Sequence, residues 1–266
     1  MAVRVLIRGA GDIASGIALR LHRAGMQVIM TEIERPTTIR RTVAFSDAVV
    51  KRRQKVEDVT AVLADDADKV LDIIEQGYIP VLVDPECTCR DRLSPDAEVD
   101  AILAKRNLGT AITDAPVVIG VGPGFTAKKD CHAVVETMRG HTLGRVFYEG
   151  SALPNTNIPG LIGGFAGERV IRAPGDGVFK STHKIGDMVE ADETVGFVEG
   201  EPMKTTIAGV LRGLIADGVT VKKGMKSGDV DPRGEKGYCD LVSDKALSVA
   251  GGVLEAIMHF KGDIYG

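Results

Sequence analysis

The hydrophobic pattern divides the chain into an alternating α/β half and a β-rich half. Val3 to Ile7 is a short β-branched run. It is followed by Gly9-Ala10-Gly11-Asp12-Ile13-Ala14-Ser15-Gly16 and then by Ile17, Leu19 and Leu21 at helical spacing. This reads as strand, glycine turn, helix. Gln27 to Thr31 supplies the next strand, followed by a predicted helix near Asp66 to Gln76 and a strand from Ile79 to Val83. A helix near Asp96 to Lys105 and a strand from Pro116 to Val121 complete the series. Such alternation predicts a parallel sheet covered by helices, a Rossmann-like α/β domain over residues 1–167, with ligands at the carboxyl ends of its strands.

The pattern changes beyond a non-periodic loop running from Gly150 to Gly164. Gly177-Val178-Phe179-Lys180 recurs as Gly209-Val210-Leu211-Arg212, and Gly186 and Val189 recur at the same 32-residue offset as Gly218 and Val221. Each copy predicts two strands around a turn, too small to bury an apolar face alone, so the copies must pack on each other. The pair resembles the barrel-sandwich hybrid of biotinyl and lipoyl carrier domains. The resemblance rests on Ala173-Pro174-Gly175-Asp176-Gly177-Val178, Ile185-Gly186-Asp187-Met188-Val189 and Glu201-Pro202-Met203-Lys204. This small all-β module is expected over residues 168–238 and to be unmodified. Only Thr205 to Ala208 separate Lys204 from Gly209, too short a return for a lysine displayed at a hairpin tip. Residues 239–266 are expected to form a C-terminal helix, from Ser243 to Phe260, that returns to the first domain, with Lys261 to Gly266 at the surface.

Composition narrows the partners. With 44% hydrophobic and 26% charged residues, the 266-residue chain can fill a large core. A net charge of −4 disfavours nucleic acid and anionic membranes, and aromatics at 4% offer little for base stacking. No signal peptide and no run of 18 apolar residues is evident, so a cytoplasmic protein is expected, and a homo-oligomer is compatible with the chain. Four cysteines, Cys87, Cys89, Cys131 and Cys239, are too few for a disulfide framework and are expected as free thiols.

Candidate chemistry falls at the strand ends. In a dinucleotide-binding βαβ unit one glycine makes the tight turn, a second admits a diphosphate, and a third, small position lets helix meet strand. Gly9, Gly11 and Ala14 stand in those places, with Asp12 beside them, and Glu32 lies where an acid commonly bonds a ribose diol. The alternative is that these glycines only close a tight strand-to-helix turn. Arg35, Arg40 and Arg41 could hold a 2′-phosphate or form a solvated face. Gly122 and Gly124 form a second glycine-rich turn able to receive an anion. Asp84-Pro85-Glu86-Cys87-Thr88-Cys89 and Asp130-Cys131-His132 follow two strand ends, so Cys87, Cys89, Cys131 and His132 are the candidates for any chemistry. They could serve sulfur handling or redox work, or be inert thiols. A Cys-x-Cys spacing does not suit one tetrahedral ion, and no metal is expected.

Read together, GAGDIASG, MTEIERPTTIRRTVAFSDAV, DPE, GVGPGFTAKKDCHAVVETMRGHTLGRV, GSALPNT, RAPGDG and KSGDVDPR resemble the YqeB family of accessory proteins of selenium-dependent molybdenum hydroxylases. The resemblance implies a cytoplasmic accessory or maturation factor. Its ligand would be a nucleotide, an NAD(P)-like dinucleotide or a molybdopterin-type cofactor, and its partner a molybdenum hydroxylase or the maturation machinery of one. The competing expectations are an NAD(P)-dependent oxidoreductase, for which no Tyr-x-x-x-Lys pair is evident, and a carrier protein modified at Lys204.

Overall fold

A computed structural model describes residues 2–156, 158–260 and 262, so the closing segment expected at the surface lies outside the described residues apart from Gly262. The chain forms two compact units, one of residues 1–36, 44–156 and 242–266, the other of residues 37–43 and 157–241.

The first unit begins with β1 (Arg4–Arg8), α1 (Asp12–Arg23) and β2 (Gln27–Glu32). It continues through α2 (Asp47–Lys51), β3 (Arg53–Val56), β4 (Val59–Ala64), α3 (Val70–Glu75), β5 (Ile79–Val83) and α4 (Arg90–Leu93). The strands β6 (Ala97–Asp100), β7 (Val117–Val121), β8 (Ala133–Val135) and β9 (Val146–Phe147) follow, and α5 (Asp244–His259) closes the unit. The strands make one nine-stranded sheet in the order β3-β4-β5-β2-β1-β6-β7-β8-β9. Its interior pairs are parallel, but β3 runs antiparallel to β4 and β9 antiparallel to β8. The apolar runs become buried strands because both faces of the central sheet are covered; Val5, Leu6 and Ile7 are fully buried.

The expected Rossmann-like parallel domain is therefore corrected to a mixed sheet. The segment read as a helix near Asp96 to Lys105 is strand β6 and a loop, and β6 reaches β7 without an intervening helix. On the other side of the sheet a β3–β4 hairpin, turned through Glu57 at φ +52°, provides an antiparallel edge. Helix α5 lies along α1, so closely that a methyl group at Gly16 would stand 2.7 Å from the Ala246 Cβ. Ser243 caps α5 by accepting the Ala246 amide at 3.2 Å.

The second unit contains β10 (Val170–Arg172), β11 (Gly177–Ser181), β12 (Met188–Val189) and β13 (Thr194–Val198). These are followed by β14 (Glu201–Lys204), β15 (Gly209–Leu214), β16 (Thr220–Val221) and β17 (Lys226–Asp231). The expected barrel-sandwich hybrid is corrected to two four-stranded antiparallel sheets, ordered β10-β17-β15-β12 and β14-β13-β11-β16. The duplicated copies exchange strands across these sheets. The first strand of one copy, β11, pairs with the second strand of the other, β16, while β15 pairs with β12. Phe179, Leu211, Leu214, Ile215 and Val221 fill a fully buried apolar core. Asp229 and Asp231 on β17 receive the Arg212 guanidinium in a buried ion network that Arg169 and Arg233 extend. No helix of the described residues is long and apolar enough to cross a membrane.

Candidate functional site

The glycine turn after β1 is closed by the protein itself. Gly9 has φ +94°, donates its amide to the Thr31 carbonyl at 2.9 Å, and would place a Cβ 3.1 Å from the Ala101 carbonyl oxygen. Glu32 accepts the Ala10 amide at 3.0 Å with one carboxylate oxygen and the Ile33 amide at 2.8 Å with the other. Burial pushes the Glu32 carboxyl above its ordinary range against those two hydrogen bonds. The Ala10 carbonyl accepts the Ser15 hydroxyl at 3.1 Å and the Ser46 amide at 2.8 Å. Gly11 is the N-cap of α1, Asp12 opens its first turn, and Ala14 is buried against the strand. Gly122 donates to the Val135 carbonyl at 2.8 Å, and a Cβ on Gly124 would meet the Arg106 backbone at 2.6 Å. Both glycines thus allow close approach of neighbouring chain.

The Cys-x-Cys turn after β5 has a different character. Cys87 adopts φ +59°, a left-handed conformation uncommon for a side chain of this kind, and donates its amide to the Asp84 carbonyl at 3.1 Å. Asp84 also accepts the Thr88 hydroxyl at 3.1 Å and the Cys89 amide at 2.8 Å. Burial alone would raise the Asp84 carboxyl, but the hydrogen bonds from Cys89 and Thr88 outweigh it and hold the group below its usual range. The neighbouring Cys87 thiol, then burial, holds the Cys89 thiol protonated above the usual thiol range. Cys87 is fully enclosed, whereas Cys89 forms part of the wall of a cleft of about 510 Å³ with Asp84, Thr88, Leu82, Asp66 and Arg92.

Beneath this turn lies a buried ion network. Arg90 grips Glu98 with Nε and Nη2 at 2.5 and 2.9 Å and reaches Asp114 at 3.2 Å. Arg8 donates to the Thr110 hydroxyl at 2.5 Å, and that hydroxyl donates to Asp100 at 2.6 Å. Arg8 Nη2 also approaches the Pro85 carbonyl at 3.5 Å, while its buried Nε has no hydrogen-bond partner among the described residues. The sequence does not reveal this network, because the segment near Asp96 to Lys105 reads as a helix. Glu98 and Asp100 at alternate, buried positions of β6 are the signal that a strand assignment exposes.

Cys131 and His132 are not brought to the cleft. Cys131 is fully buried in a separate apolar cluster with Val118, Phe125 and Val134, and burial pushes its thiol up to about 12. His132 accepts the Val118 amide on Nδ1 at 2.9 Å, and its ring meets Phe260 edge-on at 5.7 Å. Lys204 pairs with Thr194 inside the β13–β14 ladder, whose turn is at Glu199 and Gly200, and the preceding Met203 fills the core. No group of three or more His, Cys, Asp or Glu is placed to hold a metal ion among the described residues.

The chain is 54% identical over 254 residues, 96% of its length, to the uncharacterized protein YqeB of Escherichia coli (strain K12). The chain spans 47% of that relative's length. No family model matches. Among solved structures, it is similar to a succinylglutamate desuccinylase/aspartoacylase from Rhodobacter sphaeroides, at 26% identity and TM-score 0.21, over 24% of this chain and 22% of the other. An aspartoacylase family protein from Mesorhizobium loti matches over 86% and 85% of the two chains, at 10% identity and TM-score 0.26. The product-bound ectoine utilization protein EutE (DoeB) from Ruegeria pomeroyi matches over 86% and 85%, at 11% identity and TM-score 0.27.

The expectation of a nucleotide-binding maturation factor for a selenium-dependent molybdenum hydroxylase is corrected. The physical reason lies in the glycine turn. The acid expected to bond a ribose instead accepts the Ala10 and Ile33 amides, and the chain through Ser15 and Ser46 closes the turn on itself. The NAD(P)-dependent oxidoreductase alternative loses its cofactor loop by the same geometry. The carrier alternative fails because Lys204 lies within a strand ladder instead of at a hairpin tip.

Proposed function

We propose that the chain handles sulfur through a dithiol centre in which Cys89 meets the substrate at the cleft wall and Cys87 completes a disulfide behind it. The observation that carries this reading is the Cys-x-Cys turn itself, with Cys87 enclosed in a left-handed conformation and Cys89 in the wall of an open cleft. Cys89 first loses its proton and attacks one sulfur of a substrate disulfide, whose other half leaves as a thiolate and takes up that proton. Cys87 then attacks the Cys89 sulfur, and the second substrate half departs as a thiol. Two protein thiols become one disulfide, and one substrate disulfide becomes two thiols, so electrons and protons balance.

Incubation of the whole chain with bis(2-hydroxyethyl) disulfide, followed by acid quench and peptide mass analysis, tests the assignment. A Cys87–Cys89 disulfide is expected, with Cys87→Ser stopping at a mixed disulfide on Cys89 and Cys89→Ser forming none. Thiols that remain reduced in the unaltered chain, or a mixed disulfide confined to another cysteine, would overturn it.

A further inference from the structure

The turn after β11 carries a second constellation, which shares no residue with the thiol pair. The Thr182 amide donates to the Val195 carbonyl at 3.1 Å, extending the β11–β13 ladder and fixing the backbone on which Thr182 and His183 stand. The Thr182 hydroxyl lies 3.1 Å from His183 Nδ1, and His183 Nε2 lies 2.9 Å from Glu193 Oε1. The other carboxylate oxygen of Glu193 accepts the Glu190 amide at 2.6 Å. The Glu193 amide in turn donates to the Thr205 hydroxyl at 3.1 Å, and that buried hydroxyl donates to the Glu190 carbonyl at 2.5 Å. The third member of the series is thus held from both sides. The Glu190 hydrogen bond, with a smaller contribution from His183, keeps the Glu193 carboxyl below its usual range despite partial burial.

An ionised carboxylate on Nε2 selects the imidazole tautomer that carries its proton there, which leaves the Nδ1 lone pair toward the Thr182 hydroxyl. That hydroxyl has a second acceptor, the Thr194 carbonyl at 3.1 Å, so its rotor is confined between two acceptors on one side of the turn. Thr182 is exposed and the His183 side chain is 22% exposed, so an acyl group can reach the oxygen. Hydroxyl, base and orienting acid within hydrogen-bond reach are the parts that nucleophilic acyl transfer requires.

We propose that Thr182, His183 and Glu193 form an acyl-transfer centre acting on small activated esters or thioesters. Thr182 Oγ1 bonds to the acyl carbon while its proton passes to His183 Nδ1. The bond to the alcohol or thiol breaks, and the leaving group takes that proton. Water then adds to the acyl-threonine, again giving a proton to His183; the carboxylic acid departs and the hydroxyl is restored.

The test uses the whole chain with p-nitrophenyl acetate, following nitrophenolate release and, after acid quench, the position of any acetyl group by peptide mass. An acetyl group on Thr182 is expected. Thr182→Ala and His183→Gln are expected to lose at least tenfold of the rate above buffer, within the roughly 10²–10⁴-fold range of general-base catalysis. Thr182→Ser is expected to retain the activity, which a merely structural role would not require. Acetyl groups found only on lysine or on His183, no hydrolysis above buffer, or a Thr182→Ala chain as fast as the original would each overturn the proposal.

Discussion

After Cys87 and burial, Asp84 also affects how soon the cleft thiol can react, because its carboxylate accepts the Cys89 amide at 2.8 Å and its charge opposes a thiolate there. The groups facing Cys89 are Cys87 within the turn, Asp84 just after β5, and Asp65, Asp66 and Arg92 in the cleft wall. Asp84→Asn keeps an oxygen for the amide and removes the negative charge. Cys89 is a thiol whose pKa is raised, so its reactivity rises with pH and does so later than for an ordinary thiol. Removing the charge brings that rise to lower pH. Alkylation of Cys89 by iodoacetamide at pH 8 is expected to accelerate roughly three- to tenfold in Asp84→Asn, the equivalent of about half to one pK unit. A slower rate would mean that Asp84 acts only by shaping the turn. Cys131 provides the internal contrast, since its sulfur is enclosed among apolar side chains and burial, ahead of the Asp130 and Asp100 charges, is the main cause of its raised pKa.

At the scale of the elements, the repeat in the second unit explains its own glycines. Gly177 and Gly209 occupy equivalent positions with φ +147° and +152°, conformations that side chains rarely adopt. An added Cβ would meet the Glu199 side chain at 2.2 Å in the first case and the Asp231 carbonyl oxygen at 2.3 Å in the second. A side chain can turn away, but a ladder carbonyl cannot. Gly209→Ala is therefore expected to destabilise more than Gly177→Ala. Gly218→Ala, with φ +79° and open space around it, should cost only the backbone strain of about 1–2 kcal/mol. Urea midpoints of the three variants test the ranking, and equal shifts would contradict it. The repeat was legible in the sequence because glycine and valine recur at one offset, and β1, β2 and β5 were legible as β-branched runs between turn signals. Strand β6 was not: Ala97 to Asp100 has acidic residues at alternate positions, and the partners that allow them to be buried, Arg90, Arg8 and Thr110, come from elsewhere in the chain. The thiol turn could be named from sequence, but not the ion network beneath it. The spacing of His183 and Glu193 became informative only when the intervening turn closed.

For the whole molecule, the two units bury carboxyl groups with opposite consequences for pH. In the first unit Glu32 and Glu98 are raised, mainly by burial, against the backbone bonds of one and the Arg90 contact of the other. A folded state with a raised carboxyl pKa binds more protons than the unfolded chain just above the unfolded pKa. These groups therefore favour folding at low pH and lose that contribution as pH rises from about 4.5 through their folded values. In the second unit Asp231 is pushed up by burial but held below its ordinary value by Arg233 and Arg212. Its contribution is present above the unfolded pKa of about 3.9 and is lost as pH falls through the lowered folded value. Hydrogen exchange resolved by peptide mass, from pH 7 down to pH 3 and corrected for intrinsic exchange rates, is expected to show these opposite trends. Protection at β15 and β17 should fall at the acid end, while the Glu32 and Glu98 contribution at β2 and β6 grows between pH 7 and 4.5. In Asp231→Asn the acid loss at β15 and β17 should flatten, with the pH trend of β2 and β6 unchanged. Parallel loss of protection in both units across the range, with that variant no different, would show that neither set of carboxyls controls the local stability of its unit.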